Sequence, residues 1–99
     1  MFYAINGIDG PGSLPKRLAS RTAHLARVRQ LRDEGRLVIA GPHPNIDTDD
    51  PGDAGYSGSL IIAEFESLAD AESWARADPY IASGAWVDVG VKPFVQVMP

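Results

Sequence analysis

The sequence SLPKRLASRTAHLARVRQLRDE, residues 13–34, predicts a long amphipathic helix. At roughly 100° per residue, one face of this helix carries an apolar stripe formed by Leu14, Leu18, Leu25 and Val28. Ser13 is a suitable N-cap, and Gly35 follows the helix as a suitable C-terminal stop. The stripe indicates a helix that packs against the interior of the domain.

A polar column accompanies the apolar stripe. Arg21 falls within the stripe, whereas Arg17 and His24 lie along one edge of it, at spacings of four and three residues from Arg21. Turning these groups toward the interior costs desolvation free energy unless other groups bind them. The column is therefore interpreted as part of a site. The alternative is that the arginine stems cover apolar surface while the guanidinium groups reach solvent.

Segments on either side of this helix predict the other elements. Strands are expected at Phe2–Ile8, Leu37–Ala40, Gly58–Phe65 and Trp86–Val97. A second helix is expected from Ser67, which resembles the N-cap of a capping box with Asp70, to Asp78, and a short connection follows at Tyr80–Ala85. The order β-α-β-β-α-β predicts a ferredoxin-like α+β fold in a single domain over residues 1–99. This fold has a four-stranded antiparallel sheet with two helices on one face.

Two of the expected strands suggest that the protein is a homodimer. Leu37–Ala40 and Leu60–Ala63 are continuously apolar, whereas a strand with one solvated face alternates apolar and polar residues. Two helices can cover only one face of a four-stranded sheet. The other face is therefore expected to pack against a second copy of the chain, sheet to sheet.

The composition limits the partners of the chain. It has 99 residues, no cysteine and a net charge of −4, so nucleic acid is not an expected partner, although six of the nine basic residues lie between Lys16 and Arg32. No apolar run approaches the roughly 18 residues of a membrane span, and the N-terminus lacks the basic segment of a secretory signal. These features favour a cytoplasmic protein that has no membrane partner.

The polar segment between Pro42 and Tyr56 is expected to be a solvated loop. Asp47, Asp49 and Gly52 match three positions of a calcium-binding loop, but the glutamate needed at the twelfth position is missing. The sequence also lacks a nucleotide-binding glycine motif, a nucleophile motif and a zinc motif. We therefore expect neither a metal site nor a cofactor.

His24 and Asp78 are the candidate catalytic residues. His24 is the only histidine on a predicted regular element, and imidazoles suit proton transfer near neutral pH. Asp78 is predicted at the last turn of the second helix, where a carboxylate is unfavourable unless a cation lies nearby. The alternatives are a histidine hydrogen-bonded at the edge of the core and an aspartate that ends a helix before Pro79.

Arg21, supported by Arg17, and Ser59 are the candidate substrate-binding residues. A guanidinium donates bidentate hydrogen bonds to anionic or enolate-like oxygens. Ser59 opens the third strand after Gly58, where its hydroxyl would reach a ligand; a serine that merely ends a turn is the alternative.

The whole chain resembles the YciI-like (YCII-related) family, and within it the short bacterial YciI proteins. The segments that carry the resemblance are KRL (16–18), RTAHLAR (21–27), DEGRL (33–37), AGP (40–42), DPG (50–52), GS (58–59), IAEFESL (62–68), ADPY (77–80) and VKPF (91–94). They occur in order and without a gap.

The resemblance implies a ferredoxin-like fold that dimerises into an α+β barrel. It also implies an active site that pairs His24 with Asp78, with Arg21 and Ser59 in the same pocket. One branch of the family includes a dehydrochlorinase of chlorinated hydroxyquinones, but most members have no assigned reaction. Trp86 stands where many relatives carry a different residue, so the shape of the ligand would differ if Trp86 lines the pocket.

Three functions remain open from the sequence. The first is a cofactor-independent enzyme that acts by proton abstraction, elimination or isomerisation on a small oxygenated substrate, with His24 as general base or acid and Asp78 holding its other ring nitrogen. The second is a non-catalytic module that binds a small anion or metabolite with the same residues. The third is purely structural, with Arg21 and Asp78 in a buried ion pair and no pocket.

Overall fold

The computed structural model describes residues 1–99 as four strands and three helices. In chain order these are β1 (Phe2–Asp9), α1 (Leu14–Asp33), β2 (Leu37–Pro44), β3 (Tyr56–Glu64), α2 (Leu68–Arg76), α3 (Pro79–Ser83) and β4 (Trp86–Phe94). A single 3₁₀ turn, Gly52–Ala54, lies in the loop between β2 and β3. None of the helices combines the length and apolar character that crossing a membrane requires.

The four strands form one antiparallel sheet in the order β2-β3-β1-β4. The central strand β1 pairs on both sides, with Ile5 opposite Ile61 of β3 and Val91 of β4. This arrangement confirms the predicted ferredoxin-like α+β fold. The dimeric barrel involves a second chain and stays a prediction.

The core lies between the sheet and the helices. Alternate side chains of β1, including Tyr3 and Ile5, point to this side because successive residues of a strand face opposite ways. Helix α1 contributes Val28 and Leu31, and α2 packs closely through small residues, with Ala71 fully buried. Ser67 caps α2 as predicted, since its side chain accepts a hydrogen bond from Asp70 N–H.

The buried face of α1 differs from the predicted apolar stripe. Leu18 is 64% exposed and Arg21 is exposed, whereas the buried residues of the helix are Arg17, His24, Val28 and Leu31. At 100° per residue this buried line is rotated by roughly 75° from the stripe. The prediction that the apolar stripe is the buried face was wrong because it considered apolar side chains only. Partners elsewhere in the chain compensate the desolvation of Arg17 and His24, so these polar residues face inward.

The local structure around Asp78 also differs from the prediction. Helix α2 ends at Arg76, and the expected connection at Tyr80–Ala85 contains the short helix α3. Asp78 is the N-cap of α3, where its Oδ1 accepts a hydrogen bond from Tyr80 N–H at 2.9 Å. The carboxylate therefore lies at the favourable end of a helix, with Pro79 in the first turn, rather than at the unfavourable end of α2.

Strands β2 and β4 are the two edges of the sheet, and both end elsewhere than predicted. Strand β2 continues through Gly41 and Pro42 to Pro44, because a proline without an N–H group is tolerated at an edge. Strand β4 ends at Phe94 instead of Val97.

Two glycines allow close packing at the centre of the sheet. A Cβ atom on Gly58 would collide with the carbonyl oxygen of Gly7, and one on Gly7 would collide with the ring of Trp86. Both clashes are with groups that cannot rotate away. The indole therefore lies directly against the β1 backbone, beneath the region where α1 and α3 meet.

We predict that Gly58→Ala lowers the free energy of unfolding by about 2 kcal/mol, because the added methyl group overpacks against fixed backbone. Gly90→Ala is the matched control, since Gly90 is also a strand glycine and has no atom within 4 Å of the place that an added Cβ would take. Urea unfolding at one fixed protein concentration measures both. Equal stability of the two variants would contradict the close packing at Gly58.

Candidate functional site

A cavity of about 460 Å³ lies between α1, the β2–β3 half of the sheet and the loop that joins those strands. Its apolar wall includes Leu14, Leu25, Val28 and Ile61. Its polar wall is formed by Arg17, Arg21, His24, Ser59 and Tyr80 together with Asp50 and Asp53 of the loop. The loop between Pro42 and Tyr56, expected to be only solvated, thus forms one side of the cavity.

His24 and Asp78 lie within hydrogen-bonding distance of each other. Nδ1 of His24 is 2.9 Å from both carboxylate oxygens of Asp78. The Asp78 side chain is fully buried and the His24 side chain is 8% exposed, so this pair is shielded from water. His24 contacts the cavity, and Nε2 forms no hydrogen bond within the chain.

Two further donors hold the Asp78 carboxylate. Tyr80 N–H donates to Oδ1, and Arg27 Nη1 lies 3.3 Å from Oδ2. Arg27 is itself fixed, because its Nη2 donates to Trp74 O at 2.7 Å and its guanidinium lies 4.3 Å from the centre of the Trp74 ring. The Asp78 carboxylate therefore has three hydrogen-bonding neighbours, His24, Tyr80 and Arg27, which fix its orientation.

Aromatic rings fix the orientation of the His24 imidazole. The ring of Tyr80 stacks on it, with centroids 4.0 Å apart and planes 9° apart. Trp86 contacts both rings edge-on, at centroid distances of 5.5 Å from His24 and 5.4 Å from Tyr80. Trp86 is not part of the cavity wall, so it supports the imidazole from below and does not shape the ligand space.

Arg17 is buried, and the Nε and Nη2 edge of its guanidinium is hydrogen-bonded within the chain. Its Nε and Nη2 donate to the two carboxylate oxygens of Asp9, at 2.6 and 2.7 Å. Nη2 also donates to Gly58 O at 3.0 Å and to Ser59 Oγ at 2.9 Å. The structure therefore joins two predicted binding residues, Arg17 and Ser59, and adds Asp9, which the sequence did not indicate.

Arg21 occupies a different position from the one predicted. It lines the cavity but is exposed, and it forms neither a hydrogen bond nor an ion pair within the chain. The arginine nearest the interior is Arg17, because Asp9 is available to neutralise it. The buried ion pair between Arg21 and Asp78 is also ruled out, since Asp78 pairs with His24 and Arg27 beside an open cavity.

Three contributors to the site were missed from the sequence: Asp9, Arg27 and Tyr80. Asp9 is the last residue of β1, one position beyond the strand predicted at Phe2–Ile8, and it lies on the same face as the buried residues Tyr3 and Ile5. Arg27 is one turn from His24 on the same helix, a spacing at which side chains meet. No cluster of three or more histidine and acidic side chains that would hold a metal ion occurs in residues 1–99.

The fold and the site describe a small ferredoxin-like α+β domain with an imidazole–carboxylate pair at a cavity. Residues 1–95 match the model of the YCII-related domain, and the chain belongs to that family. Protein YciI of Escherichia coli O6:H1 is 57% identical over 97 residues, 98% of this chain and 99% of that protein. An uncharacterised protein of Haemophilus influenzae is 52% identical with the same coverage.

The chain is also similar along nearly its whole length to a solved structure. It is the 5-chloro-2-hydroxyhydroquinone dehydrochlorinase TftG of Burkholderia phenoliruptrix AC1100, in complex with 2,5-dihydroxybenzoquinone. The two chains share 29% identity and a TM-score of 0.82, over 96% of this chain and 94% of that one. The fold is thus shared with a protein named as an enzyme.

The phenol of Tyr80 keeps its proton to a higher pH than an exposed phenol. Burial raises the pKa of Tyr80 above its ordinary value of 10.0, while the charges of Arg17 and Arg21 act in the opposite direction. In the unfolded chain this phenol ionises first as the pH rises. The unfolded state then binds fewer protons than the folded state, so stability falls as the pH rises above 10.0.

We therefore predict that the wild-type chain loses free energy of unfolding above pH 10.0 and that Tyr80→Phe loses less over the same range. Tyr56→Phe is the control, because it removes a tyrosine hydroxyl from the same cavity wall and should keep the wild-type alkaline loss. Urea unfolding at neutral and alkaline pH measures the difference. A parallel decline in Tyr80→Phe and wild type would be inconsistent with the raised pKa.

Proposed function

We propose that this chain is a cofactor-independent enzyme in which His24 and Asp78 perform general acid–base chemistry on a small oxygenated organic substrate. The observation that supports this proposal is an imidazole held by a buried carboxylate at the wall of a cavity of about 460 Å³. A cavity of this size accommodates a small organic molecule.

The tautomer of His24 suits the role of a base. In the proposed tautomer Nδ1 donates its proton to the Asp78 carboxylate, which would leave the lone pair of Nε2 free. Nε2 would take a proton from a C–H or O–H group of the substrate, and Asp78 would stabilise the imidazolium that forms. Return of the proton to another atom gives isomerisation, and transfer to a departing group gives elimination.

Three groups on the cavity wall would stabilise negative charge on a substrate oxygen. Arg17 and Arg21 offer guanidinium donors, and Ser59 accepts a hydrogen bond from Arg17 and so keeps its own hydroxyl proton to donate. Such donors favour a transition state in which an enolate or phenolate develops. They require no metal ion.

The similarity to a dehydrochlorinase supports the elimination form of this chemistry, because loss of hydrogen chloride from a carbon acid requires a base. The shared fold alone does not define the same substrate here. A non-catalytic module that binds a small anion with the same side chains is the alternative function, and the following experiment separates the two.

We predict that His24→Gln lowers turnover at least about 100-fold on any substrate found in a panel of enolisable and halogenated small acids and quinols. His43→Gln is the matched control, because His43 is the other histidine of the chain and lies exposed on β2, outside the cavity wall. Circular dichroism verifies that both variants fold. If the wild type binds ligands without turnover and His24→Gln retains their affinity, the chain is a binding module.

We also propose that the chain forms a homodimer through the sheet face opposite the helices, as two such sheets do in a dimeric α+β barrel. The register places Ala4, Ile62 and Ile39 in one row across β1, β3 and β2 on that face. Ile39 is 58% exposed and Ile8, further along the face, is 49% exposed. Burying these side chains against a second copy would remove apolar surface from water.

We predict that Ile39→Lys weakens dimerisation at least about tenfold, because a charge would then enter an apolar interface. Ile46→Lys is the control, since Ile46 is 53% exposed but belongs to the loop between β2 and β3. Sedimentation velocity over a series of protein concentrations measures the association. A wild-type chain that remains monomeric at micromolar concentration would refute the proposed dimer.

A further inference from the structure

We propose that Asp9 is a positioning residue that fixes the guanidinium of Arg17 so that Nη1 faces the cavity and donates to a substrate oxygen. This inference rests on the proposed function of the cavity and names the donor that would bind the developing oxyanion. Asp9 itself does not line the cavity, so it acts only through Arg17.

The Asp9–Arg17 pair has the geometry of a rigid fork. The carboxylate receives Nε at 2.6 Å and Nη2 at 2.7 Å, and the Asp9 and Arg17 side chains are 1% and 7% exposed. Ser13 Oγ donates to the same carboxylate at 2.6 Å, which limits rotation of Asp9. A guanidinium held by two parallel hydrogen bonds has one fixed orientation.

Accounting for the donors of Arg17 leaves one free edge. Nε and Nη2 bind Asp9, and Nη2 also reaches Gly58 O and Ser59 Oγ on β3. Nη1 forms none of these hydrogen bonds, although Arg17 as a whole is 6% exposed. Because Arg17 lines the cavity, where its guanidinium also lies close enough to Tyr80 to act on the pKa of that phenol, the N–H groups of Nη1 are the part of the guanidinium available to a ligand.

Two aromatic rings restrict the guanidinium further. Its carbon Cζ lies 5.0 Å from the centre of the Tyr56 ring and 5.1 Å from that of Tyr80. Since Tyr80 also stacks on His24, the same ring aligns the arginine and the base. Arg21, in contrast, is exposed and has no partner to fix it. A pre-oriented donor stabilises a transition-state charge better than a mobile one, so the inner donor is Arg17.

A double-mutant cycle tests whether Asp9 acts through Arg17. The probe is 2,5-dihydroxybenzoquinone, whose two hydroxyl groups are acidic, and its affinity is measured by calorimetry. We predict that Asp9→Asn weakens binding about tenfold in the wild-type background and has no further effect in Arg17→Gln. Asp88→Asn is the control, because Asp88 is an exposed aspartate of β4 that pairs with Ile8 of β1. This variant removes the same charge and should leave the affinity unchanged.

A spectroscopic measurement distinguishes positioning from a merely structural role. Heteronuclear NMR of the wild-type Arg17 guanidinium should show separate Nη1 and Nη2 resonances because the fork blocks rotation, and the quinone should shift Nη1 more than Nη2. In Asp9→Asn the two resonances should merge. If Asp9→Asn does not fold, Ser13→Ala loosens Asp9 instead and should weaken binding by a smaller factor.

The positioning role of Asp9 and the proposed acid–base activity can be refuted independently of each other. Wild-type affinity in Asp9→Asn, an equal loss in the Arg17→Gln background, or no quinone binding by the wild type would each overturn the positioning role. In contrast, a His24→Gln variant with full turnover would overturn the acid–base proposal while leaving the cycle between Asp9 and Arg17 intact.

Discussion

The burial of Arg17 and His24 on α1 is the constraint on which the rest of the site depends. Arg17 and His24 are on the inner face of the helix, and each is neutralised or held by a carboxylate from another element. Removing one partner of such a buried pair is costly, on the order of 3–5 kcal/mol, because the remaining charge has no water around it. Asp9 and Asp78 thus fix both the rotation of α1 about its axis and its placement over the sheet.

The inner wall of the site is built from matched charges. Arg17 is paired with Asp9, and Arg27 with Asp78, so the His24 imidazole lies among groups whose charges are already balanced. Arg21 is the cation of the cavity wall that has no carboxylate of its own. This balance makes the inner site a set of oriented dipoles, which is the arrangement that stabilises charge forming during a reaction.

Much of the fold could be predicted from local patterns. The order of strands and helices followed from short apolar segments and from stop signals, and the cap at Ser67 was confirmed. The prediction of the buried face of α1 was wrong, because hydrophobic periodicity considers only the polarity of the side chains along the helix. It carries no information about partners that are distant in the sequence. Arg17 is buried because it pairs with Asp9, which lies 8 residues away in the sequence. His24 is buried because it is hydrogen-bonded to Asp78, which lies 54 residues away. An Asp-Pro dipeptide likewise ends one helix and begins another, and only the structure shows both.

The position of Asp78 has a consequence for the order in which the chain acquires its structure. Strand β1 and helix α1 are synthesised first, but the carboxylate that receives His24 lies 54 residues later. Until that segment has left the ribosome, docking α1 would bury an imidazole without its acceptor. Folds that depend on contacts between residues so far apart in sequence form more slowly than folds built from local contacts. The inner face of α1 therefore gains the acceptor of His24 only when the C-terminal half of the chain is present, so the core and the site depend on the same long-range contact.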